Sequence, residues 1–320
     1  MAINLLDIKP HKVSTDLTGY ITYIYGSPKT GKTTLATQMP GAILLAFEKG
    51  YNALPGVMAQ DITSWGEMKQ VYRELKKPAV KEMYQSIIVD TIDIAADMCQ
   101  KYICDQNGIT TLGELGFGKG WTFFKNEFSQ VFRGLTQLGY AVLFIGHDRE
   151  IMDDAGNKTI RPALSNSTRI VIAGMADIIG YAHQVKGKDS DKTSTLTVRC
   201  PDDSIECGSR FKYMKSEFPM SYGHLVEELR TAIEKEAAEH DNKFITDEKQ
   251  EAIAKEEYDF DTLMKEFRGL CEALMDEDEN NGPKITATVE HYLGKGKKAS
   301  EITPYQVEFL HLINEDLRNL

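Results

Sequence analysis

Residues 26–33 read Gly-Ser-Pro-Lys-Thr-Gly-Lys-Thr and fill the pattern G-x-x-x-x-G-K-[ST] in full. Before them stands Tyr20-Ile-Thr-Tyr-Ile-Tyr25, a β-branched and aromatic run of strand length. After them the sequence predicts a short helix through Met39, stopped by Pro40-Gly41. Strand, glycine-containing loop and helix in that order suit one chemistry. Backbone N–H groups curl around a polyphosphate, and Gly26 and Gly31 permit turns and a close approach that a Cβ would block. Gly26, Ser27, Pro28, Lys29, Thr30, Gly31, Lys32, Thr33 and Thr34 are therefore the expected cradle. In it Lys32 reaches the β- and γ-phosphates, Thr33 places its hydroxyl on Mg²⁺, and Thr34 lies near the α-phosphate. The expected cofactors are ATP and Mg²⁺.

A phosphate loop of this kind needs an acidic partner for its metal. Ile87-Ile88-Val89-Asp90 supplies an apolar strand ending in a carboxylate, so Asp90 is the expected holder of metal-bound water. Hydrolysis also needs a group that orients water. Glu48 ends the second apolar run, Ile43-Leu-Leu-Ala-Phe-Glu48, and a carboxylate there can accept a proton from an attacking water. Asp93 is the competing candidate. His147 ends a further run, Leu143-Phe-Ile-Gly-His147, where a polar side chain can sense the γ-phosphate or simply hold a structural hydrogen bond.

The strands expected at Tyr20–Tyr25, Ala42–Phe47, Ser86–Asp90 and Tyr140–Gly146 are nearly all apolar. Helices expected at Ile62–Lys77, Ile92–Gln106 and Thr122–Leu138 separate them. That alternation implies an α/β fold with a mostly parallel, buried central sheet. Beyond residue 150 the pattern changes. A polar loop at 153–158, a helix over Ser167–Met175 and a strand over Asp177–Val185 come first. An antiparallel ribbon of Leu196–Cys200 with Glu206–Met214 and a helix over Leu225–Ala238 follow. The remainder reads as helices at 247–258 and 261–275, a break at Asp276–Pro283 and a last helix over Pro304–Leu317. The expected organisation is a leader at 1–19, a core at 20–240 and a small acidic helical C-terminal module at 241–320.

Composition narrows the function classes. Of 320 residues, 42% are hydrophobic and 27% charged, which excludes a mainly disordered chain. No apolar run approaches the roughly 18 residues of a membrane helix. The first residues lack a basic start followed by an apolar stretch, so no signal peptide is expected. Five cysteines without a C-x-x-C pair argue against zinc and disulfides, and a cytoplasmic location is expected. The net charge of −11 is uneven. Residues 241–320 hold 10 Lys+Arg against 19 Asp+Glu, a net −9, and the rest of the chain is close to neutral at −2. A uniformly basic nucleic-acid coat is excluded, but a local basic groove is not.

Taken together, GSPKTGKT, ILLAFEKG, SIIVDTID, LGELGFGKGW, VLFIGHDRE and STRIVIAGMADIIGY resemble the RecA-like recombinase core. More closely, the chain from about Tyr20 to about Leu229 resembles the bacteriophage RecA-like P-loop ATPases of the Sak-type single-strand annealing and recombination group. The resemblance implies a RecA-like P-loop NTPase core in which Glu48 is the catalytic glutamate and His147 the polar sensor. It implies two DNA-contacting loops, at Gly113–Trp121 and Asp148–Ala163, carrying Lys119, Trp121, Arg149, Lys158 and Arg161. Cations for phosphates and an aromatic face for stacking suit single-stranded DNA, although the same residues also read as ordinary loop charges and a core tryptophan. Arg210, in Cys207-Gly-Ser-Arg210-Phe-Lys212, falls where RecA-like proteins place cations that reach a neighbouring subunit's γ-phosphate, which implies a homo-oligomer. The implied function is a DNA-stimulated ATPase that binds single-stranded DNA and promotes phage recombination or annealing. The alternative is a nucleotide-switched loader whose acidic module docks on a single-strand-binding or replication protein. A small-molecule kinase is disfavoured, because no clustered arginines mark a substrate lid.

Overall fold

The computed structural model describes residue 6 and residues 8–152, 156–186, 192–249 and 258–320. The chain divides into two compact units, Met1–Ala254 and Lys255–Leu320. In the first unit the strands are β1 (Val13–Ser14), β2 (Ile21–Gly26), β3 (Ala42–Ala46), β4 (Ala59–Asp61), β5 (Ser86–Asp90), β6 (Ala141–Gly146), β7 (Asp148–Met152), β8 (Lys158–Pro162), β9 (Ile178–Lys186), β10 (Lys192–Thr197), β11 (Gly208–Ser209), β12 (Glu217–Pro219) and β13 (Ile245–Thr246). The helices are α1 (Lys32–Ala36), α2 (Trp65–Glu74), α3 (Pro78–Met83), α4 (Ile92–Gln106), α5 (Lys119–Thr136), α6 (Asn166–Met175) and α7 (Tyr222–Ala238).

Among the described residues the main sheet has nine strands in the order β12-β10-β9-β2-β6-β5-β3-β4, with β11 paired to β9. The run from β9 to β4 is parallel throughout, and β10, β11 and β12 add antiparallel pairs beyond it. Apolar strands can lie in its centre because both faces are covered. Side chains alternate along a strand, so Tyr23 and Tyr25 enter one apolar layer and Ile24 the other. The first layer packs Trp65 of α2, Cys99 of α4, Phe124, Phe128 and Phe132 of α5, and Ile172 of α6. The second packs Leu35 of α1 and Leu225, Leu229 and Ile233 of α7. The α/β class with a mostly parallel central sheet is thus what the chain adopts.

Several local expectations change. Residues 206–214 do not form a ribbon with 196–200. Instead β10 pairs with β9 and β12, and Gly208–Ser209 adds to β9. β10 pairs with the long strand just before it in the chain, and β11 and β12, at two and three residues, are too short to show as strands in the sequence. The segment after His147 is a β7–β8 hairpin rather than an open loop, and residues 153–155 of the expected polar loop lie outside the described residues. Lys119 and Trp121 stand on the first turn of α5 rather than in a loop. The stretch at 62–77 yields a helix only from Trp65 to Glu74, preceded by β4, and Pro78 opens a separate helix. Most of the helix expected at 247–258 lies outside the described residues, and residues 247–249 are not helical.

Residues 13–14 and 245–246, expected in the leader and in the acidic module, pair in parallel as β1 and β13. The division between units falls after Ala254 rather than after residue 240. The second unit contains α8 (Phe260–Glu277), α9 (Gly282–Leu293) and α10 (Val307–Arg318). Leu263, Phe267, Val289, Leu310, Ile313 and Leu317 form its core. Among the described residues no helix is long and apolar enough to cross a membrane.

Candidate active site

Strand register gathers the site. Tyr25 of β2 pairs with Gly146 of β6, and Asp90 of β5 pairs with Ile145 of β6 and Ala46 of β3. The loop after β2, the Asp90 carboxylate, His147 and Glu48 therefore leave the sheet at one edge, at the carboxyl ends of parallel strands, where open α/β sheets place ligands. β6 separates β2 from β5, so His147 stands between the loop and Asp90's strand.

The loop holds the conformation its glycines allow. Gly26 has φ 155°, and a Cβ there would lie 2.1 Å from the Ala182 carbonyl oxygen of the neighbouring β9. Any side chain at 26 would push the loop off the sheet. Gly31, at φ 94°, opens α1. Lys29 also takes a positive φ, of 64°. Lys32 is buried, and its Nζ donates to the carbonyl oxygens of Gly26 and Ser27, both at 2.8 Å. Burial draws its pKa below that of a free lysine, against the pull of Asp90, Asp148 and Glu48. Thr30 Oγ1 donates to the Ser27 carbonyl at 3.0 Å and closes the loop on itself.

The Thr33 hydroxyl donates to Asp90 Oδ2 at 2.7 Å. Asp90 is buried, and burial raises its carboxyl to about 6 even though the Thr33 hydrogen bond favours the ionised form. A hydroxyl and a nearly desolvated carboxylate side by side are oxygen donors of the kind Mg²⁺ takes, and a bound cation would restore the charge that burial disfavours. The donor set fits a magnesium ion.

His147 and Asp93 form a close pair. His147 Nδ1 lies 2.7 Å from Asp93 Oδ2, and the His147 backbone N–H donates to Asp93 Oδ1 at 3.1 Å. The hydrogen bond to Asp93 raises the imidazole pKa. Burial alone would raise the Asp93 carboxyl, but the hydrogen bond and charge of His147 outweigh it and hold that carboxyl below its usual range. Both oxygens of Asp93 are therefore committed to His147, which leaves Glu48 as the carboxylate facing solvent. His147 Nε2 points toward Glu48, 3.8 Å from Oε1.

The pair predicts a pH signature. The His147 contribution is complete below the unfolded value of 6.5 and fades as pH rises through its raised folded pKa. The Asp93 contribution is present above 3.8 and is lost as pH falls through its lowered folded pKa. Asp93→Asn retains an acceptor for the backbone N–H but removes the charge. It should lower the denaturation midpoint most between about pH 4 and 6.5, and progressively less above that. Urea titrations across pH measure this, and a pH-independent loss would contradict the ion pair.

Two further features adjoin the loop. Ser27 Oγ donates to Asp148 Oδ2 at 3.0 Å, and the Tyr181 hydroxyl donates to the same oxygen at 3.3 Å. Asp148 is the first residue of β7, so the phosphate loop is tied directly to the hairpin. A cavity of about 520 Å³ opens beside Thr34, lined by Gln38, Leu54, Pro55, Val57 and Met58 among others.

The remaining expected residues lie apart. In the hairpin Arg149 is exposed and sits opposite Arg161. Arg161 donates to the Asp203 carbonyl at 3.1 Å and lies 3.7 Å from Glu206, and Lys158 pairs with Glu150 at 2.6 Å. Lys119 is exposed, and Trp121 is half exposed with its ring edge-on to the buried Phe124. Arg210 pairs with Asp177 at 3.0 Å, and Asp177 caps the N–H of Ile21 at the start of β2. The phosphate loop leaves the far end of that strand, about 20 Å away at strand rise. Arg210 is thus out of reach of its own chain's phosphate loop.

Residues 18–211 match the AAA domain family. The chain belongs to this family of P-loop ATPases. The matched segment of the AAA domain contains the phosphate loop, Glu48, Asp90, Asp93, His147 and Arg210, and ends before α7. The chain is also 31% identical over 333 residues to the SPbeta prophage-derived uncharacterized protein YorG of Bacillus subtilis (strain 168), across 100% of this chain and 99% of that protein. That likeness extends past the AAA domain through the second unit.

Sequence reasoning overlooked Asp148 and the cavity. Asp148 sits next to His147 in the sequence, and a carboxylate just past a strand end was a usable signal. The cavity is built from residues of α1, β3 and the 54–58 loop and leaves no local pattern.

Proposed function

We propose that this chain is a bacteriophage RecA-like ATPase of the Sak-type group that uses Mg²⁺ and ATP, binds single-stranded DNA and promotes recombination or annealing. The observation that carries the reading is the Ser27–Asp148 hydrogen bond, which joins the phosphate loop to a hairpin bearing Arg149, Lys158 and Arg161. A change at the γ-phosphate has a one-residue route to DNA-facing cations. The prophage origin of the 31% identical relative supports a phage setting.

In this reading residues 26–34 cradle the phosphates, with Lys32 released from its two carbonyls onto the β- and γ-phosphates. Mg²⁺, held through Thr33 and Asp90, neutralises developing phosphate charge. Glu48 accepts the proton of the attacking water, and His147, fixed by Asp93, faces Glu48 and senses the γ-phosphate. Arg210 acts across to a neighbouring copy, so hydrolysis follows homo-oligomer assembly. Lys119 and Arg149 contact DNA phosphates, and Trp121 offers a stacking face. The acidic second unit docks a single-strand-binding or replication protein.

The test is fluorescence anisotropy of a labelled oligo-dT at low salt, with and without a non-hydrolysable ATP analogue. Binding should tighten with the analogue, and Arg149→Ala should weaken it and flatten its salt dependence by about one phosphate contact. No binding at low salt would refute the DNA reading.

A further inference from the structure

Gly50 has no assigned role, and its surroundings are unusual for a glycine in a loop. Its backbone does not require glycine, since its φ lies outside the left-handed region. A Cβ at this position would stand 3.6 Å from Asp90 Oδ2, 3.6 Å from Thr33 Oγ1 and 3.8 Å from Glu48 Oε1. Gly50 and its two chain neighbours aside, no heavy atom comes as close to that point as these three side-chain oxygens. They come from α1, β5 and the segment just after β3, and Thr33 and Asp90 are already hydrogen-bonded to each other. The neighbouring Lys49 reaches away, toward Asp61 of β4 at 3.8 Å.

That point is a bond length of about 1.5 Å from the Gly50 Cα, but the space just beyond it, edged by a hydroxyl and two carboxylate oxygens, is a place for water. Mg²⁺ binds at about 2.0–2.1 Å and keeps several waters, so its hydration shell needs room beyond the protein oxygens. A methyl group there would occupy much of the roughly 30 Å³ that one water takes, and it offers no hydrogen bond. We propose that Gly50 is a positioning residue that keeps open the space shared by Thr33, Asp90 and Glu48, in which metal-bound water stands. The proposal rests on the nucleotide and metal reading above.

Because the nearest contacts of an added Cβ are ordinary van der Waals distances, Gly50→Ala should fold normally. The experiment measures the affinity of a fluorescent non-hydrolysable ATP analogue in Mg²⁺ and in EDTA, for the parent, Gly50→Ala and Lys49→Ala, with a thermal melt of each. The parent should gain affinity from Mg²⁺. In Gly50→Ala that gain should fall about 10–100-fold, the range for losing groups that support a metal's outer shell, with binding in EDTA unchanged. Lys49→Ala should match the parent. An undiminished Mg²⁺ gain in Gly50→Ala, or an equal loss in Mg²⁺ and EDTA, would overturn the role of Gly50 and leave the nucleotide reading standing. A parent that gains nothing from Mg²⁺ would defeat that reading, and the proposal with it.

Discussion

Glu48→Gln should bind ATP as tightly as the parent and hydrolyse it about 10²–10⁴-fold more slowly, the usual worth of a positioned general base. The geometry explains why the loss should be confined to the chemical step. Glu48 makes no hydrogen bond to the phosphate loop, which is held by Lys32 and Thr30. Its ion-pair contact is with His147, at 3.8 Å. The glutamine keeps the shape and loses the ability to take a proton. Asp93 cannot substitute, because both of its oxygens are engaged by His147. Equilibrium binding of a fluorescent ATP analogue together with single-turnover phosphate release separates the two effects. Normal turnover in the glutamine variant would remove Glu48 from the mechanism.

Lys32→Ala should lose nucleotide binding itself. The ammonium makes two short contacts with the loop's own carbonyls, and in the bound state it would trade them for phosphate oxygens. A charged hydrogen bond is worth about 1.5–3 kcal/mol, so losing two costs roughly 3–6 kcal/mol, or about 10²–10⁴ in affinity. The variant also leaves the Gly26 and Ser27 carbonyls facing a buried space without a donor, which loosens the cradle. Calorimetric titration with a non-hydrolysable ATP analogue measures the effect. Tight binding by Lys32→Ala would mean that the loop does not hold phosphate through this lysine.

What the sequence revealed and what it hid follow from the range of the interactions. Ser86–Asp90 and Ile92–Gln106 adopt the bounds their patterns predict, because each is a continuous apolar or amphipathic run. α9 was missed, since Ile285, Thr286, Thr288 and Val289 favour strands locally, and helix formation there depends on burying Val289 in the second unit's core. β4 and β12, three residues each, are too short to carry a period. The site divides the same way. Its phosphate loop is contiguous in sequence and readable, but the Asp93–His147 pair joins residues 54 apart through the register of β5 and β6. Asp93 therefore looked like a rival base when it is the partner that holds His147. Charge patterning located the acidic region and misplaced its start, because β13 belongs with β1.

In the function proposed above, the nucleotide cycle at the Thr33–Asp90–Glu48 edge is coupled to single-stranded DNA through the Ser27–Asp148 link. Steady-state ATP hydrolysis by the full chain in Mg²⁺ at low salt, with and without oligo-dT, tests it most directly. Hydrolysis should be measurable and should rise several-fold when the DNA is added. Hydrolysis at the same rate with and without the DNA would contradict it.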